Sequence, residues 1–267
     1  MGVVSYMMFR KARNALARHG GCMTWDFSQC NYNVWKIIRQ DEASANGICK
    51  ALAAQWIVDH AYGGALYNRI VDSTGSLNIS AIRMVMQNFI LAWNNQQVET
   101  ADFLSRRGMI PRLSSLNKKV VRKVGIGRQQ KEITSVQSTT AGTDQIGGGA
   151  RCNVSLELTE ALKKVSGYYA QVSFGAAAGI GHATAVWLGG PTYSSPGDAC
   201  FFDPNCGEFY FENKTKFFEW FKYFYATSYQ GFPCNFSGRW SVHQWALANG
   251  ASKEAYARAV LSVAGSR

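Results

Sequence analysis

The sequence lacks any apolar run approaching the ~18 residues that a membrane-spanning helix needs, which argues against an integral membrane protein. Its opening segment, MGVVSYMMFRKARNALARHG, places apolar residues ahead of the basic ones, so we expect no classical signal peptide. Charged residues make up only 17% of the chain and apolar residues 47%, which excludes an intrinsically disordered protein. With 267 residues, the chain is instead long enough to bury a full core.

No CxxC pair occurs among the seven cysteines, which excludes the common zinc and redox motifs. An odd number of scattered cysteines, in a chain large enough not to need disulfides, is typical of free thiols in a reducing compartment. We therefore expect no disulfide framework, no metal site and no cofactor. The cysteines are Cys22, Cys30, Cys49, Cys152, Cys200, Cys206 and Cys234.

Acidic residues are absent from residues 106–131, a block that carries nine Lys and Arg side chains in a chain of net charge +11. Such a block favours an anionic partner, for example an anionic membrane surface, although a solvated basic loop is the simpler explanation. The block also lacks aromatic side chains that could stack on bases, which argues against nucleic acid as the partner.

Helical periodicity dominates the first half of the chain and strand-like segments the second, which indicates an α+β fold. The sequence predicts a helix and a loop over 1–30 and one main domain over 31–267, with a flexible Gly-, Ser- and Thr-rich connector near 135–150. Strands are predicted in GYYAQVSFGAAA, HATAVWLGG, ACFFDPNCGEFYFE and FSGRWSVHQWAL. Helices are predicted over 1–19, 46–60 and 159–165. Three more are predicted to begin at Asn78, after a cap at Asn213 or Thr215, and at Ser252. The segment GGCMTWDFSQCNYN is predicted to be a loop.

Three residues in different segments suggest a reactive site. Cys49 lies in the first turn of a predicted helix, where the helix dipole and a nearby imidazolium lower the pKa of a thiol. His182 begins one predicted strand after a glycine turn, and Asp203 ends the next strand, so a hairpin would bring the two together. A thiol, an imidazole and a carboxylate that orients the imidazole form a nucleophilic triad. Each residue alone is more often structural, since free cysteine is among the most buried residue types.

The blocks NGICKALAAQWI, GIGHATAVW and FFDPNCGEFYF resemble those of the YopT/AvrPphB family, papain-like cysteine proteases that bacteria inject into host cells. The resemblance spans residues 46–211, and its most specific part is Asp-Pro-Asn followed after one residue by Gly-Glu-Phe. It implies a papain-like fold, in which a helical part carrying the Cys packs on an antiparallel β-sheet carrying the His and the Asp. It also implies Cys49 as nucleophile, His182 as general base and acid, and Asp203 as the orienting carboxylate.

The same resemblance implies a secreted virulence effector that cleaves a host protein, delivered by a non-classical route into the host cytosol. An amide side chain ahead of the Cys helps to form the oxyanion hole in this family, and the candidates here are Asn46 and Gln40. Asn46 is alternatively the N-cap of the Cys49 helix. The same triad would also serve a transglutaminase, a deamidase or a peptidoglycan amidase, and a binding module with structural Cys49, His182 and Asp203 is a further alternative.

Overall fold

The structure, a computed structural model, describes residues 2–40, 48–91, 99–111, 122–126, 129–133, 143–145, 154–175, 181–190, 192, 194–230, 236 and 239–248. Its helices are α1 (Gly2–Ala15), α2 (Tyr32–Gln40), α3 (Cys49–Ala61), α4 (Leu66–Ile70), α5 (Ile79–Leu91), α6 (Glu99–Ser105), α7 (Val154–Lys163) and α8 (Lys214–Tyr225). Its strands are β1 (Gly21–Trp25), β2 (Met109–Pro111), β3 (Arg122–Ile126), β4 (Gln129–Ile133), β5 (Thr143–Gln145), β6 (Tyr168–Gly175), β7 (Gly181–Leu188), β8 (Ala199–Asp203), β9 (Gly207–Phe211) and β10 (Arg239–Leu247).

An antiparallel sheet forms the centre of the fold, and among the described residues it has eight strands. The order is β1–β9–β8–β7–β6–β10, and β10 pairs on its other side with β5 and β2. Strands β3 and β4 form a separate two-stranded hairpin. Helices before strands, with an antiparallel sheet, confirm the predicted α+β class.

Side chains that alternate along the strands divide the core between the two faces of the sheet. On one face, Val186 and Phe201 pack with residues of α1, α7 and α8. On the other face, Ala185 and Phe202 pack with residues of α3, α5 and α6. Every residue of β8 is buried, so this strand lies between two helical layers. Its sequence is accordingly a nearly continuous apolar run, without alternation of apolar and polar residues. Helix α3, which carries Cys49, therefore lies directly on the strands that carry His182 and Asp203.

The aromatic helix α8 follows the prediction closely. The Asn213 side chain accepts a hydrogen bond from the Thr215 backbone N–H at 2.8 Å and caps the helix. One face of the helix forms a buried aromatic stripe, and pairs such as Trp220 with Phe224, whose ring centres lie 4.8 Å apart, contribute about 0.5–1.5 kcal/mol beyond area burial. The stripe consists of Phe217, Trp220, Phe221 and Phe224.

Some predicted elements differ from the structure. The loop predicted for GGCMTWDFSQCNYN is wrong, because β1 pairs with β9 through Cys22 and Tyr210, and α2 begins at Tyr32. The helix predicted from residue 46 begins at Cys49, and the helix predicted over 159–165 occupies Val154–Lys163. Strand β5 falls inside the predicted connector, whose other residues lie outside the described part of the chain, as does the helix predicted from Ser252. The division at residue 30 stays a prediction.

The turn between β8 and β9 requires glycine at position 207. Gly207 has a φ of +107°, and a Cβ added there would clash with the Trp25 carbonyl oxygen. The Cys206 backbone N–H donates to the Asp203 carbonyl at 3.0 Å inside the same turn. The turn thus sets the position of Asp203 at the end of its strand.

The basic block over 106–131 is only partly described. Arg107 is buried, donates to the Phe103 carbonyl at 3.0 Å and places its guanidinium 3.7 Å from the centre of the Phe103 ring. The interpretation of the whole block as a solvated basic loop is therefore wrong for Arg107. Residues 112–121 lie outside the described part, and strands β3 and β4 carry much of the rest. Within the described residues, no helix has the length and apolar character to cross a membrane.

Candidate active site

The thiol of Cys49 lies at the positive end of a helix. Cys49 is the first residue of α3, and Ile48, in the N-cap position, makes no side-chain capping bond. The orphan backbone N–H groups of the first turn are therefore available to the thiol. The Lys50 N–H helps to lower the pKa of the thiol, and only 7% of the Cys49 surface is exposed. The uncapped helix start thus stabilises the negative charge that Cys49 carries as a thiolate.

His182 reaches the thiol from the sheet. It is the second residue of β7, where it pairs with Phe174 of β6 and is buried. Its side chain and the backbone N–H of the next residue, Ala183, lie close enough to the Cys49 thiol to lower the pKa of that thiol. The strand start predicted for His182 is confirmed.

Asp203 completes the cluster from the last position of β8, the antiparallel neighbour of β7. The His182 Nε2 lies 2.8 Å from Oδ1 of Asp203, and the Asn205 backbone N–H donates to the same oxygen at 2.8 Å. The Tyr229 hydroxyl donates to Oδ2 at 2.7 Å. The carboxylate is fully buried, so these donors replace the water that would otherwise solvate its charge. The structure thus brings together the three residues that were predicted to meet.

The local electrostatics favour a charged Cys–His pair. Burial alone raises the pKa of the Cys49 thiol, but His182 and the N–H groups of Ala183 and Lys50 outweigh it and hold the pKa below its ordinary value. Burial lowers the pKa of His182, but the Asp203 carboxylate and Cys49 raise it to about 10. Both shifts favour a thiolate facing an imidazolium at neutral pH.

We expect Cys49 to react with iodoacetamide at a pH where an ordinary thiol, with a pKa of about 8.5, is mostly protonated. Because the pKa is depressed, the thiolate is present above it and is lost only as the pH falls through it. The alkylation rate should therefore stay high through neutral pH and decline in acid, which mass spectrometry of the Cys49 peptide measures. His182→Ala should move the midpoint of this decline upward, and an unchanged midpoint would contradict the assigned pair.

Two polar residues in the cluster were not assigned a role from the sequence. The Asn205 Nδ2 lies 3.4 Å from both ring nitrogens of His182 and donates to the Tyr229 hydroxyl at 3.1 Å. The Asn205 Oδ1 accepts from Gln29 Nε2 at 2.7 Å. Asn205 belongs to the Asp-Pro-Asn motif, which carried the family resemblance but did not reveal this contact. Tyr229 lies in an aromatic run without any local motif.

The oxyanion candidates stay predictions. Asn46 lies outside the described residues, and Gln40 is the last residue of α2. The alternative assignment of Asn46 as the helix N-cap is wrong, because Ile48 occupies that position directly before Cys49.

The other described cysteines differ from Cys49. Burial raises the pKa of the Cys200 and Cys206 thiols well above the ordinary value, and Cys22 is exposed on β1. Cys22, Cys49, Cys200 and Cys206 are free thiols, and the described part of the chain contains no group of three or more potential metal-ligating side chains.

A thiol at a helix start, facing an imidazole and a carboxylate on adjacent antiparallel strands, is the arrangement of papain-like cysteine proteases. Residues 13–233 match the model of the family described as Yersinia/Haemophilus virulence surface antigen, which is a family of cysteine peptidases. The chain belongs to this family.

Curated relatives include two proteins named cysteine protease YopT. The Yersinia enterocolitica protein is 26% identical over 236 residues and the Yersinia pestis protein is 28% identical over 239 residues. Each alignment covers 86% of this chain and 66% of the relative, so the chain spans slightly less than two thirds of their length. Among solved structures, the Pseudomonas avirulence protein AvrPphB matches 77% of this chain and 95% of its own, with 16% identity and a TM-score of 0.46.

Proposed function

We propose that the protein is a cysteine protease that cleaves a protein of a host cell, with Cys49 as nucleophile, His182 as base and acid, and Asp203 as the orienting carboxylate. The observation that carries this proposal is the position of His182, whose Nε2 lies 2.8 Å from Asp203 Oδ1 and whose imidazole lies close enough to the Cys49 thiol to lower its pKa. Family membership and the named proteases among the relatives support the same conclusion.

The chemistry follows from this geometry. The Cys49 thiolate attacks the carbonyl carbon of a peptide bond, and the backbone N–H of Cys49, at the helix start, donates to the developing oxyanion. The His182 imidazolium gives its proton to the leaving amine as the C–N bond breaks, which leaves a thioester. A water molecule then loses a proton to His182 and attacks the thioester, and the acid product leaves as Cys49 is restored. Asp203 holds the imidazole orientation throughout both steps.

The host-cell setting rests on the family and its members. The family carries the description Yersinia/Haemophilus virulence surface antigen, and the YopT relatives come from Yersinia. The protein therefore acts as an effector that is delivered into host cells by a non-classical route. Its substrate is a host protein.

Mass spectrometry of host-cell lysate incubated with the protein tests the reaction type. Proteolysis creates new N-termini that amine labelling detects in samples with the wild-type protein but not with Cys49→Ala. A mass gain of about 1 Da at glutamine would instead identify a deamidase, and a glutamine–amine crosslink a transglutaminase. Either product without new N-termini would contradict the protease assignment.

The basic block should govern location rather than chemistry. Charge reversal at four of its residues should weaken binding to anionic liposomes, and added salt should mimic the loss because it screens the attraction. The four residues are Lys118, Lys119, Arg122 and Lys123.

Liposome sedimentation at low salt measures this effect. A matched variant reverses four exposed basic residues outside the block, so its net charge equals that of the block variant. It should bind nearly as well as the wild-type protein. Its positions are Arg10, Lys11, Arg18 and Lys222. Equal losses in both variants would show that net charge, not the block, drives binding.

A further inference from the structure

Tyr229 lies against both His182 and Asp203, although it is remote from them in sequence. It belongs to a π-helical turn, Ala226–Gln230, that continues from α8, and its side chain is completely buried. Single π-helical turns are rare and occur frequently at functional sites. The turn directs the hydroxyl of Tyr229 to Asp203 and its ring to His182.

The hydroxyl of Tyr229 has a fixed hydrogen-bond direction. The Asn205 Nδ2 group can only donate, so the Tyr229 hydroxyl oxygen accepts a hydrogen bond from it at 3.1 Å. The Tyr229 hydroxyl therefore donates its own proton to Asp203 Oδ2 at 2.7 Å. Burial and the Asp203 charge raise the pKa of Tyr229 well above its ordinary value, so the donor proton is retained. Since His182 and the Asn205 backbone N–H occupy Oδ1, both oxygens of the carboxylate are bound and its rotation is blocked.

The ring of Tyr229 covers the imidazole. The two ring centres lie 5.2 Å apart with an angle of 25° between planes, while Phe174 meets His182 edge-on at 5.4 Å. Phe9 of α1 and Phe236 hold the Tyr229 ring in turn, at 5.5 and 5.8 Å. One side chain thus restrains the orientation of His182 and of Asp203 together.

We propose that Tyr229 is a positioning residue of the active site, which acts through the Asp203 carboxylate to keep His182 aligned with Cys49. This inference rests on the proposed function. Without the hydroxyl, Oδ2 of a buried carboxylate loses its donor, and the side chain can rotate away from Nε2 of His182. The His182 imidazolium then loses part of the stabilisation that Asp203 gives it, and the Cys49 thiolate is favoured less.

Tyr229→Phe tests the proposal because it keeps the stacked ring and removes only the hydroxyl. We expect the rate of Cys49 alkylation at neutral pH to fall about 10- to 100-fold, by analogy with the loss of a hydrogen bond that orients a metal-ligating side chain. Tyr225→Phe is the matched control, since this equally buried tyrosine donates to the Phe236 carbonyl and not to Asp203. The control should alkylate at the wild-type rate, and circular dichroism should show both variants folded.

The same substitution in an Asp203→Asn background separates positioning from general packing. If Tyr229 acts through the carboxylate charge, Tyr229→Phe should change the alkylation rate less than about twofold in that background, since the two effects are coupled. An equal loss in both backgrounds, or no loss in the wild-type background, overturns the role of Tyr229. Slow Cys49 alkylation in the wild-type protein itself would overturn the proposed function, and the inference with it.

Discussion

Cys49→Ala and His182→Ala should each abolish peptide hydrolysis while leaving the fold intact. The expected loss is about 10⁴- to 10⁶-fold, because removal of a nucleophile or of its general base disables the unit as a whole. Cys49→Ala removes a single sulfur atom, so its melting temperature should change little. His182→Ala removes a ring packed on Tyr229 and Phe174 and a hydrogen-bond partner of buried Asp203, so its melting temperature should fall. The readout is the rate of new N-terminus formation in host-cell lysate, with circular dichroism to verify folding.

Matched variants show whether these losses are specific. Cys200→Ala removes another buried thiol on the same side of the sheet as Cys49, and His19→Ala removes an imidazole near Glu219 on the opposite side of the fold. Both should retain hydrolysis close to the wild-type rate. Substantial hydrolysis by folded Cys49→Ala would show that another nucleophile does the chemistry.

Asp203→Asn should cost about 10⁴-fold, at the lower end of the range expected for Cys49→Ala and His182→Ala, because the substitution preserves an acceptor for His182 but removes the charge. That charge is a main cause of the raised pKa of His182, so the imidazolium is lost at lower pH in the variant. The alkaline limb of the activity profile should accordingly shift toward neutral pH. Measuring hydrolysis across that range checks both the rate and the direction of the shift.

Asp26→Asn provides the control for Asp203→Asn. Asp26 is an exposed carboxylate that pairs with Arg13 at 2.8 Å, and its neutralisation should leave both the rate and the pH profile unchanged. Full activity of Asp203→Asn would contradict the orienting role of this carboxylate.

The parts of the site that follow strong local signals were predictable. Cys49 begins a helix, His182 follows a glycine turn at a strand start, and Asp203 precedes a proline at a strand end. Antiparallel neighbours then place the two strand residues side by side, which is a geometric consequence of the hairpin order. The resemblance to the YopT/AvrPphB family added the roles, and those stay proposals.

Elements that depend on distant partners were not predictable in the same way. The segment from Gly21 to Trp25 contains a glycine and alternates only weakly, and it becomes a strand because β9 offers it a free edge. Tyr229 stands in an aromatic run that favours a core helix, and no periodicity reveals that the helix widens into a π turn at this point. In the sequence, Arg107 is one charge of a basic block, and only the fold shows that its guanidinium packs on the Phe103 ring.

Competitive alkylation tests the central claim, an activated thiol at position 49, most directly. Limiting iodoacetamide at neutral pH, followed by peptide mapping of all seven cysteines, ranks their reactivity in a single sample. We predict that Cys49 is labelled first, about tenfold or more ahead of exposed Cys22, and that buried Cys200 and Cys206 stay unlabelled. Labelling of Cys22 as fast as Cys49 would contradict the activation of Cys49 by His182 and Asp203.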